Sequence, residues 1–178
     1  NLVDAGVVAT PIMTHADLME DVLTVDGLHV MVEKPLATTV ADCRRIMAAA
    51  EGRDGVVWVG LEYRYMPAAA RLIDEVKGGA VGTLRHLAIR EHRFPFLPKV
   101  GDWYRFNRNT GGTLVEKCCH FFDLMNVIVD SDPVRVMGSG GQDFNHLDEE
   151  YEGEVPDLLD AAYVICEDAT GARAMLER

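Results

Sequence analysis

Apolar residues in the first third of the chain come in short runs that alternate with stretches of helical spacing. Ala5 to Ala9 is an apolar run of strand length, followed by Thr14-His15-Ala16-Asp17, which has the Thr-x-x-Asp form of a helix start. Leu18, Met19, Val22 and Val25 continue at helical spacing, and Gly27 is expected to close that helix. Leu28 to Val32 repeats the strand pattern, Thr39-Val40-Ala41-Asp42 repeats the cap, Arg44 to Ala50 continues as helix, and Val56 to Val59 supplies a third strand. Strand, helix, strand, helix, strand is the rhythm of a parallel, doubly wound α/β sheet, here ending near Gly60.

Beyond Pro67 the pattern changes. Proline suits the first turn of a helix carrying Arg71, Leu72 and Val76, and Gly78-Gly79 ends it. Leu84 to Arg93, Val134 to Gly138 and Ala161 to Cys166 read as longer strands, with Arg173 to Leu176 a further one and a helix over Thr113 to Val129 between them. Those elements predict an α+β domain with an open, mainly antiparallel sheet. Gly138-Ser139-Gly140-Gly141 and the acidic run around Asp148-Glu149-Glu150 read as loop, the latter as solvated surface. The expected division is residues 1–62 and 63–178.

Composition narrows the function. Seventeen Lys plus Arg against 29 Asp plus Glu give a net charge of −12, which repels nucleic-acid phosphates and anionic lipid surfaces. No apolar run is long enough to span a bilayer, and nothing near Asn1 has the form of a signal peptide. Cys43, Cys118, Cys119 and Cys166 lack Cys-x-x-Cys spacing, so reduced thiols and a cytoplasmic protein are expected. Cys118, Cys119 and His120 cannot converge on one tetrahedral ion from consecutive helical positions, and no metal site is expected.

The chemistry-bearing residues come in ordered blocks. These are Val8-Ala9-Thr10-Pro11 with His15, Glu33-Lys34-Pro35 after a strand, Gly60 to Pro67, Trp103, and Gly111-Gly112-Thr113-Leu114 leading to Glu116, His120 and Asp123. A lysine at the carboxyl end of a buried strand and a histidine on a helix are suited to proton transfer. Taken in this order and approximate spacing, the blocks resemble the Gfo/Idh/MocA oxidoreductases. No Gly-x-Gly-x-x-Gly fingerprint stands near Asn1, so the chain reads as an internal fragment of a protein about twice as long. It would hold the second half of a Rossmann dinucleotide-binding domain followed by part of a substrate domain.

The resemblance implies an enzyme that uses NAD or NADP and acts on a hydroxyl of a sugar, polyol or inositol-like compound. His120 would be the proton acceptor and Lys34 the group that hydrogen-bonds the reacting oxygen. Glu116 stands where the family usually has aspartate, four residues before the histidine. Glu116, His120 and Asp123 could share one helical stripe, and Thr113 with Glu116 also makes a good capping box. Thr10, Pro11, His15 and Glu33 are cofactor-side candidates, although His15 is also the first residue of a helix. Tyr63, Arg64, Trp103 and Asp123 are candidates for the substrate pocket, and Glu62 replaces an amide frequent in the family. A homo-oligomer joined through the second sheet is implied as well. Two rivals keep the same fold: a glycosidase using NAD for transient oxidation, and a non-catalytic regulator sensing a dinucleotide or sugar.

Overall fold

The computed structural model describes residues 3–178, which fall into two compact units. The first comprises the residues up to Leu61 together with Phe106–Cys119, and the second comprises Glu62–Arg105 and His120–Arg178.

In the first unit, β1 (Ala5–Val8), β2 (His29–Val32) and β3 (Val57–Val59) form a parallel sheet in chain order. Helices α1 (His15–Val22) and α2 (Val40–Ala50) are the crossovers. Strands laid side by side in chain order, with right-handed crossovers, put both helices on one face. Burial agrees with this arrangement, because Val8 pairs with Val32 and these join Val30, Ala16, Met19, Leu23 and Ile46 in one core cluster. On the opposite face Val7, Met31 and Trp58 share a row, with Val7 67% and Trp58 39% exposed. Thr39 caps α2 as expected, its hydroxyl accepting the Asp42 N–H at 3.1 Å, a bond worth about 1 kcal/mol. Thr14 does not cap α1. It ends a 3₁₀ turn (Ile12–Thr14), and its hydroxyl donates to the Pro11 carbonyl at 2.8 Å. Helix α1 also stops at Val22, well before Gly27, because the chain then turns through Leu23 and Thr24.

The second unit holds α3 (Pro67–Lys77) and a four-stranded sheet of β4 (His86–Arg90), β5 (Pro133–Gly141), β6 (Ala161–Asp168) and β7 (Arg173–Glu177). Its order is β4-β7-β6-β5, with β4 and β7 parallel and the other two pairings antiparallel. Ala162, Val164, Ala174 and Leu176 are buried, while Met137, Tyr163 and Ile165 are exposed on the other face. The sequence places Gly138–Gly141 in a loop, but these residues continue β5. Each pairs in register with β6, from Gly138 opposite Val164 to Gly141 opposite Ala161. Glycine is required at position 140, where a Cβ would lie 2.6 Å from the Ala161 carbonyl oxygen and 2.8 Å from Leu159.

The helix expected over Thr113–Val129 is in fact two. The short helix α4 (Asn107–Thr110) ends at Gly111, α5 spans Thr113–Glu116, and α6 spans Cys119–Val129. Between α5 and α6 both the Lys117 and the Cys118 N–H groups point to the Thr113 carbonyl, at 3.0 and 3.1 Å. That wide turn interrupts the i, i+4 ladder, so the single stripe expected for Glu116, His120 and Asp123 does not form. Only His120 and Asp123 share a helix. Among the described residues no helix is long and apolar enough to cross a membrane, and the four cysteines form no disulfide.

Candidate active site

Parallel strands deliver their loops at their carboxyl ends, and in the first unit the loops after β1 and β2 carry four candidate residues, with His15 a fifth at the start of α1. Thr10 and Pro11 are exposed there, with the Thr10 and Thr14 hydroxyls 2.7 Å apart. His15 is wholly buried, its Nδ1 3.0 Å from the Pro35 carbonyl oxygen and its Nε2 3.0 Å from that of Thr10. Glu33 is half-buried, and its carboxylate accepts the Lys34 backbone N–H at 3.2 Å.

Lys34 precedes Pro35 through a cis peptide bond and is tied to residues 82 positions further on. Its ammonium donates to Glu116 Oε1 at 2.9 Å and to the Glu116 backbone carbonyl at 3.0 Å, with side-chain exposures of 17% and 8%. Two glycines bring Glu116 there. Gly111 (φ 75°) and Gly112 (φ 82°) both take left-handed backbone, and a Cβ at Gly111 would lie 2.8 Å from the Thr38 carbonyl oxygen. Gly112 is the N-cap of α5, so Thr113 lies inside the helix and no Thr113–Glu116 capping box forms. The Glu116 carboxylate therefore serves Lys34 and not the helix end. Its second oxygen, Oε2, is buried without a hydrogen-bond partner among the described residues.

In the second unit a 3₁₀ turn, Glu62–Tyr65, meets α6. The Arg64 guanidinium grips Asp123 with two bonds, Nε to Oδ2 at 2.9 Å and Nη2 to Oδ1. That hydrogen bonding raises the Arg64 pKa. The grip sets Tyr63 flat on the His120 ring, with centroids 4.0 Å apart and planes 7° from parallel. Glu62 Oε1 lies 3.6 Å from His120 Nε2, from a side chain 57% exposed, while His120 is 2% exposed. Trp103 stands on a separate turn, Val100–Arg105, edge-on to Tyr104. Thus Tyr63, Arg64, Asp123 and His120 come together, Lys34 meets Glu116, and His15 links the Thr10 and Pro35 carbonyls.

One buried network was illegible in the sequence. Arg105, 2% exposed, donates from Nε to Glu149 Oε2 at 2.7 Å. Glu149 also accepts the Tyr151 hydroxyl at 2.7 Å and lies 2.8 Å from His146 Nδ1. Burial works to raise the Glu149 pKa, but the bonds from His146, Tyr151 and Arg105 outweigh it and bring the pKa down to about 2. The acidic run is therefore not merely solvated surface. Its signal would have been Trp103-Tyr104-Arg105, but nothing in the spacing ties Arg105 to a glutamate 44 residues on.

Residues 1–61 match the model of an oxidoreductase family described by its NAD-binding Rossmann fold, and residues 73–177 match the C-terminal alpha/beta domain of the same family. The chain belongs to the Gfo/Idh/MocA oxidoreductase family. Among its relatives, inositol 2-dehydrogenase of Acidothermus cellulolyticus is 35% identical over 144 residues, covering 79% of this chain and 39% of that protein. Myo-inositol 2-dehydrogenase of Thermotoga maritima is 27% identical over 98% of this chain and 49% of its own length. Among solved structures, an oxidoreductase domain protein from Kribbella flavida superposes with a TM-score of 0.82 at 29% identity, covering 98% of this chain and 48% of that one. The chain spans about 29–51% of the length of the curated relatives it matches.

Proposed function

We propose that the whole protein is an NAD(P)-dependent oxidoreductase acting on a hydroxyl, or the corresponding carbonyl, of a sugar, polyol or inositol-like substrate. The observation that carries this reading is the buried contact of Lys34 with Glu116 at the carboxyl end of a parallel strand, in a chain of an NAD-binding family. Relatives named as inositol dehydrogenases support the substrate class.

The residues present fit a dinucleotide. Exposed Thr10 and Pro11 after β1, and half-buried Glu33 after β2, lie at the carboxyl edge of the parallel sheet, where open α/β sheets bind such ligands. When bound, the nicotinamide would supply the hydride acceptor. The chain's own part is positioning and proton transfer. In the oxidation direction the hydroxyl proton would pass to the His120 imidazole. Lys34 donates a hydrogen bond to the same oxygen and stabilises the negative charge that grows there. Glu116 holds the ammonium in place, and its Oε2 is an acceptor that a substrate hydroxyl would satisfy. Tyr63 orients His120, Arg64 and Asp123 hold that turn, and Trp103 offers a flat face to a sugar ring.

We assign residues 1–62 to the dinucleotide-binding domain and residues 63–178 to the substrate domain, although Phe106–Cys119 of the latter stretch belong to the first compact unit. A homo-oligomer assembled through the exposed sheet face of Met137, Tyr163 and Ile165 is part of the same proposal. The test is a screen of the whole protein with polyols and sugars in the presence of NAD or NADP, following reduced nicotinamide. Steady formation of reduced cofactor with a polyol supports the reading. Sugar release without net reduced cofactor would replace it with the glycosidase, and dinucleotide binding without any turnover would replace it with the regulator.

A further inference from the structure

His15 was a candidate for touching the cofactor, yet its ring is buried and both of its nitrogens face backbone carbonyl oxygens. Those carbonyls belong to the two loops that matter most for the proposed reaction. Thr10 lies on the loop after β1, beside exposed Pro11, and Pro35 directly follows Lys34 on the loop after β2. A carbonyl only accepts, so each contact calls for a ring N–H. A neutral imidazole donates at one nitrogen and an imidazolium at both. The ring thus bridges two segments 25 residues apart in sequence, from the first residue of α1. Helix α1 is itself anchored in the core by Ala16 and Met19, so the bridge is tied to a rigid element.

On this basis, and resting on the reaction proposed above, we infer that His15 is a positioning residue: it fixes the Lys34-Pro35 backbone against the Thr10 loop and so holds the Lys34 ammonium on Glu116. Nothing else in the chemistry of the site calls for a buried histidine here. Leucine would fill the space and cost nothing in desolvation, but would donate to neither carbonyl. The Lys34 stem is flexible, and a fixed backbone beneath it narrows the positions its ammonium samples around Glu116.

The experiment compares wild type with His15→Leu in the whole protein, using two readouts. An amine-reactive ester with mass-spectrometric detection measures how fast Lys34 is acylated relative to Lys77, a half-exposed lysine in the second unit. The expected result is a rise of roughly five-fold at Lys34, the scale of losing one ordinary hydrogen bond, with no change at Lys77. In the dehydrogenase assay kcat should fall roughly ten-fold while KM for the dinucleotide stays within about two-fold, because a reactive group is misplaced without loss of binding surface. A purely structural His15 would lower the melting temperature and leave both the Lys34 labelling ratio and kcat per folded molecule unchanged; that result overturns the inference. If His15→Leu does not fold, His15→Gln, which keeps volume and a single donor group, is read in the same way. Labelling needs no turnover, so raised Lys34 acylation in a protein with no dehydrogenase activity would uphold the brace and sink the reaction.

Discussion

Lys34–Glu116 in the first unit and Arg105–Glu149 in the second are both pairs of a cation and a carboxylate with one partner buried, and they differ in how the carboxylate is used. Glu149 is surrounded: Arg105, Tyr151 and His146 all converge on its two oxygens, and its pKa drops to about 2. Glu116 receives Lys34 on one oxygen and has the other buried without a hydrogen-bond partner among the described residues. The cations differ as well. Arginine keeps its charge at any working pH and its planar fork suits a fixed network, whereas a lysine ammonium is a compact donor that can turn towards a reacting oxygen. A carboxylate with both oxygens satisfied, as Glu149 is, contributes to stability even though Arg105 Nη1 is buried without a hydrogen-bond partner among the described residues. In the proposed reaction, the lysine pair at the carboxyl edge of the parallel sheet, with its Glu116 Oε2 still unsatisfied, is the one that takes part in chemistry.

The largest effect that could break this contrast comes from Lys34→Met. Turnover of the whole protein should fall by about 100-fold or more, the scale of an acid–base group, with the melting temperature and dinucleotide affinity nearly unchanged. Retention of more than about a tenth of wild-type turnover would put the Lys34 pair in the same structural category as Arg105–Glu149. A smaller loss, roughly ten-fold in kcat, is expected from Glu116→Gln, which keeps an acceptor for Lys34 but removes the charge that holds it. Steady-state kinetics that show only a raised substrate KM would instead make Glu116 a binding group.

Glu149→Gln should do the reverse. Turnover per folded molecule should stay within about two-fold, while stability at neutral pH drops by about 1–3 kcal/mol, because Arg105 remains buried beside a neutral partner. The sign with pH follows from the depressed pKa. The Glu149 contribution is fully present above its ordinary value of 4.5 and is lost as pH falls towards about 2. Denaturant melts should therefore show wild type and variant converging across that window. A constant gap from neutral pH down to the acid limit would mean that the Glu149 charge is not what holds the network.

The sequence showed most of the fold and only parts of the site, for physical reasons that differ by region. Alternating burial in β1 and β2 is set locally by which face meets α1 and α2, so the strand–helix rhythm was legible. The Gly138–Gly141 stretch was not, because its strand conformation comes from ladder bonds to β6, which override its weak β-propensity. The break between α5 and α6 was hidden because Lys117 and Cys118 carry no breaker residue. It arises from a wide turn closing on Thr113. Within the site, Glu33-Lys34-Pro35 stood out as a motif, yet its contact with Glu116 lies across 82 positions. Glu116 was read with Thr113 as a possible cap, but Gly112 occupies the cap position and frees the carboxylate. His15 reads from sequence either as a cofactor-side residue or as the first residue of a helix, and only tertiary structure shows both of its nitrogens turned to carbonyls.

Proton transfer to His120 is the central claim, and the pH dependence of polyol oxidation by wild type and His120→Asn tests it most directly. Asparagine keeps the helix and a hydrogen-bonding side chain but cannot take up a proton near neutrality. In wild type, kcat/KM should fall as pH drops through the range where an imidazole becomes protonated, about 6.5 for an unperturbed ring. That acid limb should vanish in the variant, together with a loss of about 100-fold at the plateau. A variant with the same acid limb and turnover near wild type would remove His120 from the reaction and contradict the account.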